Sequence, residues 1–282
     1  MDLRIVARDR DLVCVSDKRV DKVIGYAVRF DDGSWANLRS RGYTGSAPGR
    51  VFFLRAPAQP DGAASRRHDL GRVVHLTLSG TGGAVLVEPA DQIGTAELHG
   101  GAAFREGVAI DVHGGRARIS WDGAEDGDAV LCRVPARCGI VVEAGGDAHV
   151  WVATPAPELH AVLDDGASLV CESVTDPQLE LIGSGGAFVA RAGGRARVRA
   201  NGAGSAIVAG GHLAKLDAAV TSTGSVVVHA TVDQALLSNT GSGALSVPAI
   251  GQLSERHAGA GPLLAGGLVP APDEAWQPGA SG

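Results

Sequence analysis

Gly183-Ser184-Gly185-Gly186-Ala187-Phe188-Val189, Asn201-Gly202-Ala203-Gly204-Ser205-Ala206-Ile207-Val208 and Thr221-Ser222-Thr223-Gly224-Ser225-Val226-Val227-Val228 repeat one pattern: a corner of small residues, then a short apolar run. Corners of the same kind stand at Ala144-Gly145-Gly146, Asp164-Asp165-Gly166 and Asn239-Thr240-Gly241-Ser242-Gly243. The six starts are spaced by 20, 19, 18, 20 and 18 residues. A unit of about 20 residues with two short strands cannot bury its apolar side alone, and stacking such units builds a continuous core. The sequence therefore predicts an all-β chain whose body is a parallel β-solenoid, or β-helix.

Composition agrees with stacked strands. Glycine supplies 41 of 282 residues, about twice the usual share, whereas aromatic residues are only 4% of the chain. Such a core is built from Val, Ala, Leu and Ile in thin layers. Charge is divided unevenly: up to Arg72 there are 14 Lys and Arg against 9 Asp and Glu, and beyond it 11 against 22. The basic excess of the first part is too small to indicate nucleic-acid binding, which goes with clustered Lys and Arg and a high pI.

Three regions follow. Residues 1–70 escape the period, hold Tyr26, Tyr43, Trp35, Phe30, Phe52 and Phe53, and read as a β-rich head. Val23 to Leu38, turning at Asp31-Asp32-Gly33, is its clearest hairpin, because Asp-Gly supplies the positive φ of a tight turn. Leu3 to Val6, Leu12 to Val15 and Val51 to Leu54 are further strand candidates. Residues 71–250 form the solenoid, with strands from Arg72 onward and no sustained helical period. Residues 251–282, rich in Gly and Pro, are expected to form a flexible tail that does not continue the ladder, although Leu263, Leu264, Leu268, Val269 and Trp276 could fold over the exposed end. A bare terminal coil presents a sheet edge, so the head is the expected cap at the other end.

The first ten residues are charged where an export signal needs an apolar stretch, and no run of 18 apolar residues occurs. A cytoplasmic protein without membrane insertion is expected. Cys14, Cys132, Cys138 and Cys171 form no Cys-x-x-Cys pair and no zinc spacing with histidine. Whether Cys132 and Cys138 pair across Pro135-Ala136-Arg137 stays open at this level.

Ile182-Gly183-Ser184-Gly185-Gly186-Ala187-Phe188-Val189 and Ser238-Asn239-Thr240-Gly241-Ser242-Gly243-Ala244-Leu245-Ser246-Val247 resemble the "putative adhesin" family with its head GIN domain of glycine-serine corners. The likeness covers about residues 140–250. It implies a right-handed parallel β-helix and a surface or adhesion role. The chain departs from that pattern in having no export signal and in corners that often lack Ser and Asp. A looser, architectural similarity is to bactofilin-type cytoskeletal rods, which polymerise through their ends.

Most candidate side chains have a structural role available to them. His75, His113, His149 and His229 fall on the outward phase of separate strands and do not converge as metal ligation or proton transfer requires. Asp31-Asp32, Asp164-Asp165, Glu125, Asp126 and Asp128 lie in Gly-containing turns, where Asp bonds the local backbone. The solenoid offers few aromatic rings to line a sugar groove, only Phe104, Trp121, Trp151 and Phe188, and no Gly-x-Ser-x-Gly elbow. Two surface features remain. Arg191, Arg195, Arg197 and Arg199 face outward and suit an anionic polymer or acidic partner, or else stack with Glu180 and Asp217, which lie one coil away on either side of Arg199, as a register-fixing charge ladder. Trp151 sits on the outward phase of His149-Val150-Trp151-Val152, as a contact for a partner or a sugar.

These observations predict a non-enzymatic scaffold or interaction protein acting through a sheet face or its ends. No cofactor or metal is expected, nor nucleic acid. Its expected partner is a second copy of the chain, another protein or a polysaccharide. The contact surface is Trp151, Arg195, Arg197 and Arg199. The rival readings are a carbohydrate-active β-helix enzyme using acidic residues and a polymer-forming rod.

Overall fold

The computed structural model describes residues 65–247 and 249–266, without the side chains of 126 and 127, and the backbone of 3–9, 12–17, 22–29 and 35–38. In the head, Leu3–Asp9, Leu12–Asp17, Lys22–Arg29 and Trp35–Leu38 form a four-stranded antiparallel sheet in chain order. Tyr26 pairs with Leu38 and Arg29 with Trp35, the register of the expected hairpin. Val51 to Leu54 and the Asp31-Asp32-Gly33 turn lie outside the described residues.

The body is a β-solenoid of about seven turns. Each turn contributes one strand to a long arginine-bearing face, as in Arg195–Ala200 and His212–Val220, and one to a valine-rich face, as in Ser205–Val208 and Ser225–Val228. Successive turns are joined by parallel ladders on both faces. Side chains alternate, and the inward rows are continuous. On the arginine face Ile119, Leu78, Val142, Ala161, Leu179, Val198, Ala218 and Leu237 stack in register, none more than 2% exposed.

The corner between the faces explains its glycines. Gly204 N donates to Gly183 O at 3.0 Å, Gly224 N to Gly202 O at 2.9 Å and Gly243 N to Ser222 O at 2.9 Å, so the ladder runs through the corner without a break. The backbones stack so closely that a Cβ on Gly185 would overlap the Ala167 carbonyl oxygen. Likewise Gly204 meets Gly185 O, Gly224 meets Gly204 O and Gly243 meets Gly224 O. Close approach, rather than left-handed φ, makes this column glycine.

Two departures from the sequence reading stand out. The ladder does not end at 250: Ile250–His257 pairs with Thr231–Asn239, and Leu263–Ala265 with Leu245–Val247. Gly259 and Gly261, which look like ladder breakers, are one more corner, each packed on the carbonyl of Gly241 and Gly243 respectively. Residues 267–282, with Leu268, Val269 and Trp276, lie outside the described residues.

The second departure is at the opposite end, where the turns are not stacked in chain order. Arg116–Pro135 lies on the outer side of His75–Ala90, pairing His75 with Arg116, while Gly139–Gly145 pairs with the inner side of the same strand. The chain reaches that outer position by reversing direction. Gly94–His99 and Ala109–His113 both run antiparallel to Arg116–Pro135, and Ser65–Gly71 runs antiparallel to Gly94–His99. A tight turn at Gly114-Gly115, with φ of 57° and 78°, makes the second reversal. The described cap thus comes from residues 65–115, with the one helix of the described residues, Ala102–Gly107, between its strands. That helix is too short and too polar to cross a membrane, and no other helix is described.

Candidate interaction faces

On the arginine face Arg195, Arg197 and Arg199 all point outward, alternating with buried Ala196, Val198 and Ala200. Arg199 is in register with Glu180, as the 19-residue spacing implies. Its other neighbour is Ala219, because Asp217 lies in register with Arg197. Asp217 still closes the network diagonally: its Oδ2 is 3.0 Å from Arg199 Nη2 and 3.4 Å from Arg197 Nε. Glu180 instead accepts from Asn201 Nδ2 at 2.9 Å. One aspartate therefore balances two arginines. Arg199→Glu sets a third carboxylate beside Glu180 and Asp217, and chemical denaturation should show a loss of about 1 kcal/mol. An unchanged midpoint would count against the network.

Arg195 is placed differently. Its ladder neighbour is Lys215, a second cation in direct register. Asp176, one coil before it, spends Oδ1 on the backbone N–H of Arg195 at 2.7 Å. Neither Arg195 nor Lys215 forms an ion pair among the described residues, and both are exposed. Arg191 stands apart, in register with Ser173 on the strand Gly186–Ala192.

Trp151 occupies the outward phase of the valine face, between Leu86 and Val170. It is not an exposed indole: the residue is only 9% exposed, and Nε1 donates to Glu172 Oε1 at 3.3 Å. The outward row here is apolar from Leu131 through Leu86, Trp151, Val170, Phe188 and Ile207 to Val227, then meets Ser246, and Val170 and Phe188 are each 3% exposed. Sheets buried on both sides read as continuous apolar runs, and Leu169-Val170-Cys171 and Ala187-Phe188-Val189 are such runs. That signal was legible, but period-2 alternation draws the eye first. Trp151, Val170 and Phe188 are buried in this row, whereas Leu131, Leu86, Ile207 and Val227 are half-buried.

The candidate histidines are dispersed. His75 approaches Glu158 at 3.4 Å, His149 Nδ1 meets Ser168 Oγ at 2.6 Å, and His113 lies on the edge strand Ala109–His113. His212 stands between Thr231 Oγ1 at 3.0 Å and Asp233 Oδ2 at 3.2 Å, but the Thr231 hydroxyl is itself a donor to Gly211 O and the group is open to solvent. Among the described residues no three His, Cys, Asp or Glu side chains converge as a metal site. Three of the turn carboxylates serve the backbone. Asp165 Oδ2 accepts from Gly146 N, Asp164 Oδ1 from Asp165 N, and Asp128 from both Gly101 N and Glu125 N. The last of these lines an open depression of about 480 Å³ with Phe104, Trp121, Asp122 and Glu125. Asp31-Asp32 and the side chain of Asp126 lie outside the described residues.

Cys132, Cys138 and Cys171 are free and buried, so Cys132 and Cys138 do not form a disulfide here. Desolvation pushes the thiols up, to about 12 for Cys132 and Cys171 and about 11 for Cys138, which leaves no thiolate to react near neutral pH.

Burial also lowers the pKa of His229. The fold favours the neutral ring while the unfolded chain takes up a proton near pH 6.5, so this contribution to stability is present above about pH 6.5 and is lost as the pH falls below it. The thermal midpoint should drop between pH 7 and pH 5, and His229→Gln should reduce that drop. An identical pH slope in the variant would remove His229 as a cause.

No protein-family model and no curated protein matches the chain. Solved structures do. A "putative adhesin" of Parabacteroides distasonis ATCC 8503 superposes with a TM-score of 0.56 at 18% identity, over 73% of this chain and 98% of its own. One of Parabacteroides merdae ATCC 43184 gives 0.56 at 15%, over 73% and 97%. One of Bacteroides fragilis NCTC 9343 gives 0.57 at 12%, over 74% and 98%. At such identities the likeness is one of fold, and the β-solenoid is what these proteins share with this chain.

Proposed function

We propose that the protein is a non-enzymatic, adhesin-like binding rod that presents its arginine face to a partner. The observation that carries this reading is the flat, exposed, charged face itself, with Arg195 stacked on Lys215 and neither one ion-paired among the described residues. Of the groups a carbohydrate-active enzyme would need together, Asp164 and Asp165 lie apart from the depression that Asp122, Glu125 and Asp128 line, Asp128 there is held by the backbone N–H groups of Gly101 and Glu125, and His75 and His149 are held elsewhere by Glu158 and Ser168. The adhesin names carried by structures of the same fold agree with a binding role. Incubation of the protein with a panel of polysaccharides and surface proteins should retain at least one ligand with its length unchanged. Release of new reducing ends would overturn the non-enzymatic reading.

The ends of the solenoid favour discrete particles over filaments. At one end the strands turn antiparallel, and at the other the inward rows finish on Leu253, Glu255 and His257, above Ala235, Leu237 and Asn239. Charged residues at inward positions of an edge strand discourage further pairing. Self-association by face packing gives assemblies of fixed size. Sedimentation velocity should therefore find the same species at every concentration, and a growing series of larger ones would revive the polymer reading.

A further inference from the structure

We propose that Arg195, Lys215 and Arg197 form a binding track for an acidic polysaccharide, a linear glycan bearing carboxylate or sulfate groups. The proposal deepens the adhesin-like reading and rests on it.

Like charges directly opposite each other in a ladder are unfavourable. Beside them on this face Arg197 and Arg199 share the carboxylate of Asp217. Arg195 and Lys215 break that rule in mid-face. The carboxylate on one side, Asp176, is committed to the backbone, and the residue on the other side, Gln234, is neutral. An anion from outside the chain is the missing partner, and guanidinium and ammonium groups bind carboxylate and sulfate by charge-assisted hydrogen bonds.

Geometry selects the class of anion. Neighbouring turns lie about 4.8 Å apart and alternate residues along a strand about 6.6 Å apart, so Arg195, Lys215 and Arg197 form a flat cationic grid rather than a pocket. A grid fits charges repeated along an extended polymer better than a single small anion. Gln178, in register with Arg197, and Gln234, in register with Lys215, are exposed amides that can meet sugar hydroxyls. Their outward neighbours on this face include no Trp, Tyr or Phe, so the stacking platform that single-stranded nucleic acids use is missing. Three cations, of which Arg197 is already shared with Asp217, on a chain of net charge −6 also neutralise too few phosphates to hold a duplex.

The probe is dextran sulfate, compared with uncharged dextran of the same length and with a short DNA duplex. Wild-type protein should bind dextran sulfate, more weakly as salt rises, and should not bind dextran. Arg195→Gln combined with Lys215→Gln should weaken binding about tenfold, the scale of one or two lost charge-assisted bonds. Asp217→Asn should strengthen it severalfold by releasing Arg197 and Arg199, a gain that misfolding cannot imitate. Unaltered binding by the double variant, no gain from Asp217→Asn, or equal competition by the duplex overturns the proposal. If wild-type protein holds another ligand of the panel but no anionic glycan, the track falls and the adhesin-like reading stands; new reducing ends remove that reading whatever dextran sulfate does.

Discussion

Gly185→Ala should be among the most damaging single substitutions in the solenoid, with an expected loss above about 4 kcal/mol, the range reserved for changes the fold cannot absorb. The added methyl would fall on the Ala167 carbonyl oxygen, and the next nearest atoms are the carbon and nitrogen of the same residue. All are backbone, so no side chain can swing away. Relief requires the two turns to separate at the corner, where Gly185 N donates to Asp165 O at 2.8 Å and Gly186 N to Ala167 O at 3.0 Å. Separation there propagates, because Gly204 rests on Gly185 O in the same way. Nearest-neighbour coupling between repeats spreads the damage along the rod. Gly101→Ala is the matched control, since nothing lies within 4 Å of a Cβ built there. Equilibrium denaturation of the two variants should differ by several kcal/mol, and equal midpoints would remove close approach as the reason for glycine at the corners.

The same column shows how far the sequence could be read. Gly185, Gly204, Gly224 and Gly243 carry the period, and a period of about 20 residues is enough to specify parallel stacking, because only in-register turns bring every corner over the one before. Outward arginines alternating with buried Ala196 and Val198 were equally legible. What the sequence left hidden depends on pairing rather than pattern. Arg116–Ile119 and His75–Leu78 are equally apolar on their inner phase, and nothing in either says that the later segment stacks outside the earlier one. The charge network shifted by one row for a related reason. Spacings of 19 and 18 residues look interchangeable in sequence, yet the ladder pairs Arg199 with residue 219, twenty positions on, and leaves Asp217 opposite Arg197. The outward row of the valine face was concealed by its own simplicity, since Ile207 and Val227 extend an apolar run instead of breaking one.

Asn239 is the residue whose sequence context misleads most, and Asn239→Asp should be nearly as costly as the corner substitution. Its neighbours Thr240-Gly241-Ser242-Gly243 make it look like the first residue of a corner. The structure instead puts it on the inward row, in register with Val220 and fully buried. A polar side chain holds that position because it has work to do there: Nδ2 faces Gly243 O at 3.0 Å, Pro262 O at 3.1 Å and Gly261 O at 3.2 Å, while Oδ1 accepts from Gly241 N at 3.2 Å. One amide thus ties its own corner to the next, at the turn where the core ends. An aspartate of the same shape keeps the bond to Gly241 N and aims a second oxygen at three carbonyls. Removing the donor leaves buried acceptors unpaired, and a buried charge without a partner adds its own desolvation cost, together about 3–5 kcal/mol. Asn239→Ala separates the two effects, since it loses the bonds without adding charge and should cost less. The charged variant should also recover on acidification, because a protonated carboxyl donates one bond, whereas Asn239→Ala should not. If Asn239→Asp is no worse than Asn239→Ala at neutral pH, the three carbonyls are not what the amide holds.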